Sequence, residues 1–213
     1  MSDFDLPYSQ QCIQAGLDQL SAAASEAGLS LSLPSAATLA SMPLPQQVMT
    51  LVNDVRAAYG LGPLQYDPAM QSTTDLGAEQ GMDPPVPNLS GLTYTALGGG
   101  SYQDNWSGDW AAASSAPVAV YMWIFDDGWG GGGAGSLQTP NFDCTGPGAP
   151  GCWGHRNSLL SYSTTPGVTA YAATAAYGYC SPDASGTPTL CPLSSNDIVS
   201  GSFTMEVAGL TSP

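Results

Sequence analysis

The sequence predicts an α+β fold, and three observations carry the prediction. Apolar residues recur at helical spacing in four separate segments before residue 126. After residue 166, two runs of small, β-branched and aromatic residues read as strands. Between them stand clusters of Gly, Pro, Ser and Asn that mark turns. Helices first and a terminal hairpin afterwards suggest layers, with helices covering a sheet.

The elements follow in order. Residues 9–27 carry Ile13, Leu17 and Leu20 on one helical face, followed by an alanine-rich turn. Residues 28–45, with Pro34, Pro43 and Pro45, read as a linker, so that residues 1–45 form a helical extension and 46–213 the main domain. From Pro45 a stronger helix sets Val48, Leu51, Val52, Val55 and Tyr59 in one stripe and ends at Gly60 and Gly62. Arg56 lies on it and is expected to pair with a buried acid. Asp67-Pro68 is a helix start, Asp as cap and Pro at the first helical position, for a helix reaching about Gln80. Asp83-Pro-Pro-Val-Pro then stops any regular element.

Residues 92–106 hold a short strand between glycines, and 112–125 a further helix, with Val118, Tyr121, Met122 and Phe125 on one side. The glycine run at 128–135 formally contains G-x-G-x-x-G, but it follows a helix and opens no βαβ unit, which argues against nucleotide binding. Residues 167–179 and 202–208 then pair as a long hairpin.

Charge narrows the function. Seventeen acids face two bases, a net charge of −15, although charged residues make up only 9% of the 213. Such a chain has almost nothing with which to neutralise phosphates, which excludes nucleic-acid binding. No apolar run is long enough to span a membrane. The first residues, Met1-Ser-Asp-Phe-Asp, lack the basic and apolar regions of a signal peptide, which points either to a processed or recombinant form or to a protein that stays in the cell; a surface rich in Ser, Thr, Gly, Asn and Gln suits an exported bacterial protein better.

The five cysteines agree with export. Cys144 with Cys152, and Cys180 with Cys191, each bracket a loop rich in Pro, Gly or Ser, as local disulfides do. Other pairings are open, and Cys12, left over, is free, buried or paired between chains, the last giving a disulfide-linked oligomer. A zinc site using Cys144, Cys152 and His155 competes, because Cys152-x-x-His155 has ligand spacing, but it lacks an obvious fourth ligand.

Chemistry converges on residues 144–160. They hold the one histidine, His155, and one of two basic residues, Arg156. Any proton transfer near neutral pH is expected to involve this stretch, whose bland alternative is a surface loop pinned by a disulfide. The triplets Asn88-Leu-Ser and Asn105-Trp-Ser match the glycosylation sequon, which matters only in a eukaryotic secretory route.

Taken in order, these pieces resemble the CAP superfamily of cysteine-rich secretory, antigen 5 and pathogenesis-related proteins, in its bacterial, SCP-like form. The resemblance is carried by Leu51-Val52-Asn53-Asp54-Val55-Arg56, Gly60-Leu61-Gly62-Pro63-Leu64, Asp67-Pro68-Ala69-Met70 and Gly154-His155-Arg156-Asn157-Ser158-Leu159-Leu160, with Pro166-Gly167-Val168 after them. It spans roughly residues 46–209 and implies an α-β-α sandwich with a cleft. The family's paired histidines and acids fall on Asp104, followed by Asn105, on Asp126, after Trp123, and on His155. The region of its first histidine, Met82–Ser90, offers Asn88 and prolines instead. One imidazole and two aspartates hold a metal poorly, so no cofactor is expected beyond a weak divalent metal at His155.

Three functions follow from the resemblance and the residues. The first is a secreted binding module whose cleft, lined by Asn88, Asn105, Trp106, Trp123 and Trp153, takes a small apolar, carbohydrate or peptide ligand or a partner protein. The second is a hydrolase with His155 as base and Asp104 or Asp126 orienting it; no G-x-S-x-G elbow supports a serine nucleophile. The third is a structural surface or matrix component.

Overall fold

The computed structural model describes residues 9–85, 106–126, 154–160, 169–180, 189–193 and 198–210. They form a mixed helical and sheet fold. Helix α1 spans Gln10–Glu26; the Ser9 hydroxyl caps it by accepting from the Cys12 amide, and it buries Ile13, Leu17, Leu20, Ala23 and Ala24. The stretch after it is more than a linker, because Ser35 caps a short helix, α2 (Ala36–Ala40), that buries Ala36 and Leu39. Helix α3 (Leu44–Ala58) buries Val48, Leu51, Val52 and Val55 completely, as its stripe requires.

A two-residue strand, β1 (Gln65–Tyr66), follows, and the Asp67 side chain then caps a helical turn at Pro68–Met70 by accepting from the Ala69 amide. Helix α4 runs Gln71–Gln80. Strand β2 (Trp106–Ala113) continues through Ala112 and Ala113, two residues whose alanines suggest helix; helix α5 starts only at Ala116 and ends at Phe125. Pairing with a neighbouring strand overrides alanine's preference there. Residues Gly154–Leu160 form a helix, α6, and not a loop.

Strands β3 (Thr169–Cys180) and β5 (Ile198–Leu210) are the predicted long pair, antiparallel from Thr169↔Leu210 to Cys180↔Ile198. Between them in sequence, β4 (Thr189–Cys191) adds to the other edge of β3, and a Cys180–Cys191 disulfide ties that edge. The described sheet runs β1-β3-β5-β2, with only β1 parallel to its neighbour.

Alternation along β5 sorts its two faces. Phe203, Met205 and Val207 join one core cluster with α1, α3 and α5 residues, so the N-terminal helix shares the main core. Ser202, Thr204 and Glu206 point the other way, to α4. Glu206 accepts hydrogen bonds from the Thr73 and Thr74 hydroxyls, while Thr204 and Ser202 donate to the Thr74 and Ala78 carbonyls at 2.8 Å each. Helices therefore lie against both sheet faces, one contact apolar and one polar. The buried carboxylate of Glu206 is tolerated because hydroxyls meet it.

Candidate functional site

The site starts from how α6 is held. Leu159 is fully buried in the core and anchors the helix. Arg56 on α3 is also fully buried; its Nε donates to the Gly62 carbonyl at 2.9 Å and its Nη1 to the Leu159 carbonyl. Burial lowers its pKa to about 10, so it stays a cation at neutral pH. Both of these partners are main-chain carbonyls. In return, Arg156 of α6 reaches back to α3, donating from Nη2 to the Tyr59 hydroxyl at 2.9 Å with its guanidinium 5.9 Å from the ring centre. Asn53, one turn before Arg56, exchanges two hydrogen bonds with the Leu64 main chain. The residues of the Leu-Val-Asn-x-x-Arg segment thus fasten both the 60–64 turn and α6.

With Leu159 inward, His155 and Ser158 fall three residues apart on one helical face. Both line a cleft of about 260 Å³ whose other walls are Asp83, Ser107, Gly108, Asp109 and Gly154. His155 is 34% exposed, and its Nε2 stands 3.8 Å from Asp83 Oδ1 at the rim, where Asp83 is 61% exposed. At the base, Asp109 is only 1% exposed. Its Oδ2 accepts from the Ser158 hydroxyl at 2.7 Å, and Ser158 in turn accepts from the Ser107 hydroxyl at 2.6 Å.

Two local features deliver the acids. Ser107 and Asp109 are two apart on β2, opposite Val207 and Met205, and so share the face that α6 covers. Asp83 arrives by a tight reversal after α4. Gly81 ends that helix at φ 65°, in the left-handed region, and a Cβ on Gly77 would lie 2.9 Å from Pro84 Cα. The chain folds back on α4 so closely that only glycine fits at 77.

The candidate residues separate on this geometry. His155 lines the cleft. Trp123 is 1% exposed and belongs to the core cluster, away from the described cleft wall. Asp126 caps the end of α5 and is not among the described lining residues. Its charge, after burial, helps push the Tyr121 phenol up, as Glu26 also does against a Gln19 hydrogen bond. Trp106 opens β2 opposite Ala208. Asn88, Asp104, Asn105, Trp153, Cys144 and Cys152 lie outside the described residues. Cys12 is half-buried on α1, where its carbonyl accepts from Ser115.

Sequence reasoning missed Asp83, Asp109, Ser107 and Ser158. The signal for Asp109 was the alternation Ser107-Gly108-Asp109-Trp110, polar on one side, with Trp110 on the other donating to Ser202 at 3.0 Å. Among the described residues, no group of three or more His, Cys, Asp or Glu is placed to hold a metal ion, and no helix is long and apolar enough to cross a membrane. Chemically, the cleft offers one imidazole for proton transfer and two carboxylates and two hydroxyls for hydrogen bonding. Compared with protein-family models, with characterised proteins and with solved structures, the chain matches none.

Proposed function

We propose that the chain is an exported, CAP-like binding domain, its helices and sheet stacked as an α-β-α sandwich, whose cleft at His155 takes a small polar ligand of the carbohydrate or peptide class. The observation that carries this reading is the lining itself. Asp83, Asp109, Ser107, Ser158 and His155 line one cavity, so hydrogen bonds and charge orient a ligand there. The order of elements, helices on both sheet faces and the α6 clasp support the family reading. The Cys180–Cys191 bridge supports export, since such bonds persist in oxidising compartments. The reading assigns no resident cofactor; a divalent metal held weakly at His155 is the alternative, and Zn²⁺ would then raise Tm by linkage.

The test is a titration of the full chain with mono- and disaccharides and short peptides, followed by amide and imidazole NMR. Saturable shifts confined to Gly108, Asp109, His155 and Ser158, lost in His155→Ala, support the reading. Shifts clustered on another face, or none, reject it.

One observation favours a second reading, a hydrolase: His155 Nε2 lies 3.8 Å from Asp83 Oδ1, a base with a carboxylate close beside it. In this version Asp83 takes the role expected of Asp104 or Asp126, and water is the nucleophile. Turnover of chromogenic esters or glycosides that disappears in both His155→Ala and Asp83→Asn would favour it over binding alone.

A further inference from the structure

The cleft has a hydrogen-bond polarity as well as a shape. A hydroxyl carries one proton. Ser158 commits its proton to the Asp109 carboxylate, and its oxygen therefore accepts the proton of Ser107. The buried carboxylate thus orients both hydroxyls toward itself. What Ser107 presents to a ligand is lone pairs. Asp83 at the rim is likewise an acceptor when ionised, and it faces His155 across the opening.

The cations of this chain are engaged at another interface. Its two basic residues are Arg56, which donates to the Gly62 and Leu159 carbonyls, and Arg156, which donates to Tyr59. An anionic ligand would meet two carboxylates with no arginine of the lining to offset them. A neutral polyol needs donors from the wall as well as acceptors. A protonated amine needs acceptors and negative charge, and brings three donors of its own. The net charge of −15 further raises the local concentration of cations around the chain.

Resting on the reading of this cleft as a ligand site, we infer that its ligand binds through a primary ammonium group, seated between Asp83 and the Ser107–Ser158–Asp109 chain. The cavity of about 260 Å³ suits a small amine. A free amine and a lysyl side chain offer the same chemistry.

The single histidine makes the test direct, because the full chain gives one imidazole signal. That signal and the Gly108 amide are followed while butylammonium, 1-butanol, butyrate and glucose are added in turn. The inference predicts saturable shifts with butylammonium, none with butanol or butyrate at equal concentration, and weaker binding as salt rises. Asp83→Asn, at an exposed rim, should fold normally and weaken butylammonium binding about tenfold. Asp109→Asn and Ser107→Ala should weaken it as well, and Ser107→Ala keeps the test valid if Asp109→Asn fails to fold. N-acetyl-lysine methylamide against butylammonium distinguishes a lysyl side chain from a free amine.

Equal response to butanol or butyrate, or full retention of amine binding in Asp83→Asn, overturns the inference. If glucose moves these signals and butylammonium does not, the amine assignment fails while the binding reading stands. Silence of every probe rejects both.

Discussion

Arg56 and Leu159 lie 103 residues apart in the chain, yet a guanidinium N–H of the first donates to the carbonyl of the second inside the core. The same guanidinium holds Gly62, so one side chain fixes the turn after α3 and the helix that carries His155. Arg156 closes the clasp from the opposite side through Tyr59. Both cations of a strongly acidic chain are used to orient α6, and the cleft depends on that orientation.

Arg56→Lys is therefore not a conservative change. An ammonium lacks the fork that reaches two carbonyls at once. The expected cost is roughly 2–4 kcal/mol of unfolding free energy, from lost charge-assisted hydrogen bonds and carbonyls left unpaired. Urea denaturation measures it. A loss below about 0.5 kcal/mol, the range of ordinary surface substitutions, would show that the clasp is not stabilising.

Gly77→Ala tests how Asp83 is delivered. The added Cβ meets the backbone at Pro84, which cannot rotate away. Either α4 or the 82–84 reversal must shift, costing about 1–3 kcal/mol. Ligand affinity at the cleft should fall as well, because Asp83 moves. Unchanged melting and unchanged binding together would contradict the tight reversal.

Asp54 gives a pH signature. Burial raises its carboxyl pKa, and Oδ2 has no hydrogen-bond partner among the described residues. The folded state thus holds this proton more tightly than the unfolded chain does. As pH rises from the unfolded value through the raised folded one, the native state binds more protons, and stability falls across that window. Asp54→Asn should remove this fall, so the stability difference in its favour grows from acid toward neutral pH. A constant difference across that range would refute the assignment.

Replacing Cys180 and Cys191 together by Ser removes the bridge at the end of β3, which closes a separation of 11 residues. A loop of that size predicts a loss of about 3 kcal/mol. Reduced wild-type chain should match the double variant in denaturant midpoint. A reduced chain that keeps the oxidised midpoint would rule out the stabilising role.

Much of the fold was legible because its signals are periodic. The α1 and α3 stripes, the Asp67-Pro68 start and the β3–β5 pair all repeat often enough to be read. Helix α6 was not, since seven residues give less than two turns in which a period can show. The strand expected at 92–106 lies outside the described residues except at Trp106, and the end of β2 was read as helix because Ala112 and Ala113 favour helices, whereas the register against Ser202 and Gly201 makes them strand. The site was legible at His155, whose rarity draws notice. It was hidden at Asp83, masked by the prolines after it, and at Asp109, whose meaning depends on a serine 49 residues away.

Convergence of His155 with Asp83 and Ser158 is the geometry on which the ligand site, the hydrolase alternative and the amine preference all rest. The nuclear Overhauser spectrum of the His155 ring protons tests it most directly. The account predicts cross-peaks from the ring to the β-protons of Asp83 and of Ser158. Their absence, in a spectrum that shows the Arg156–Tyr59 contact and the core contacts of Leu159, would contradict it.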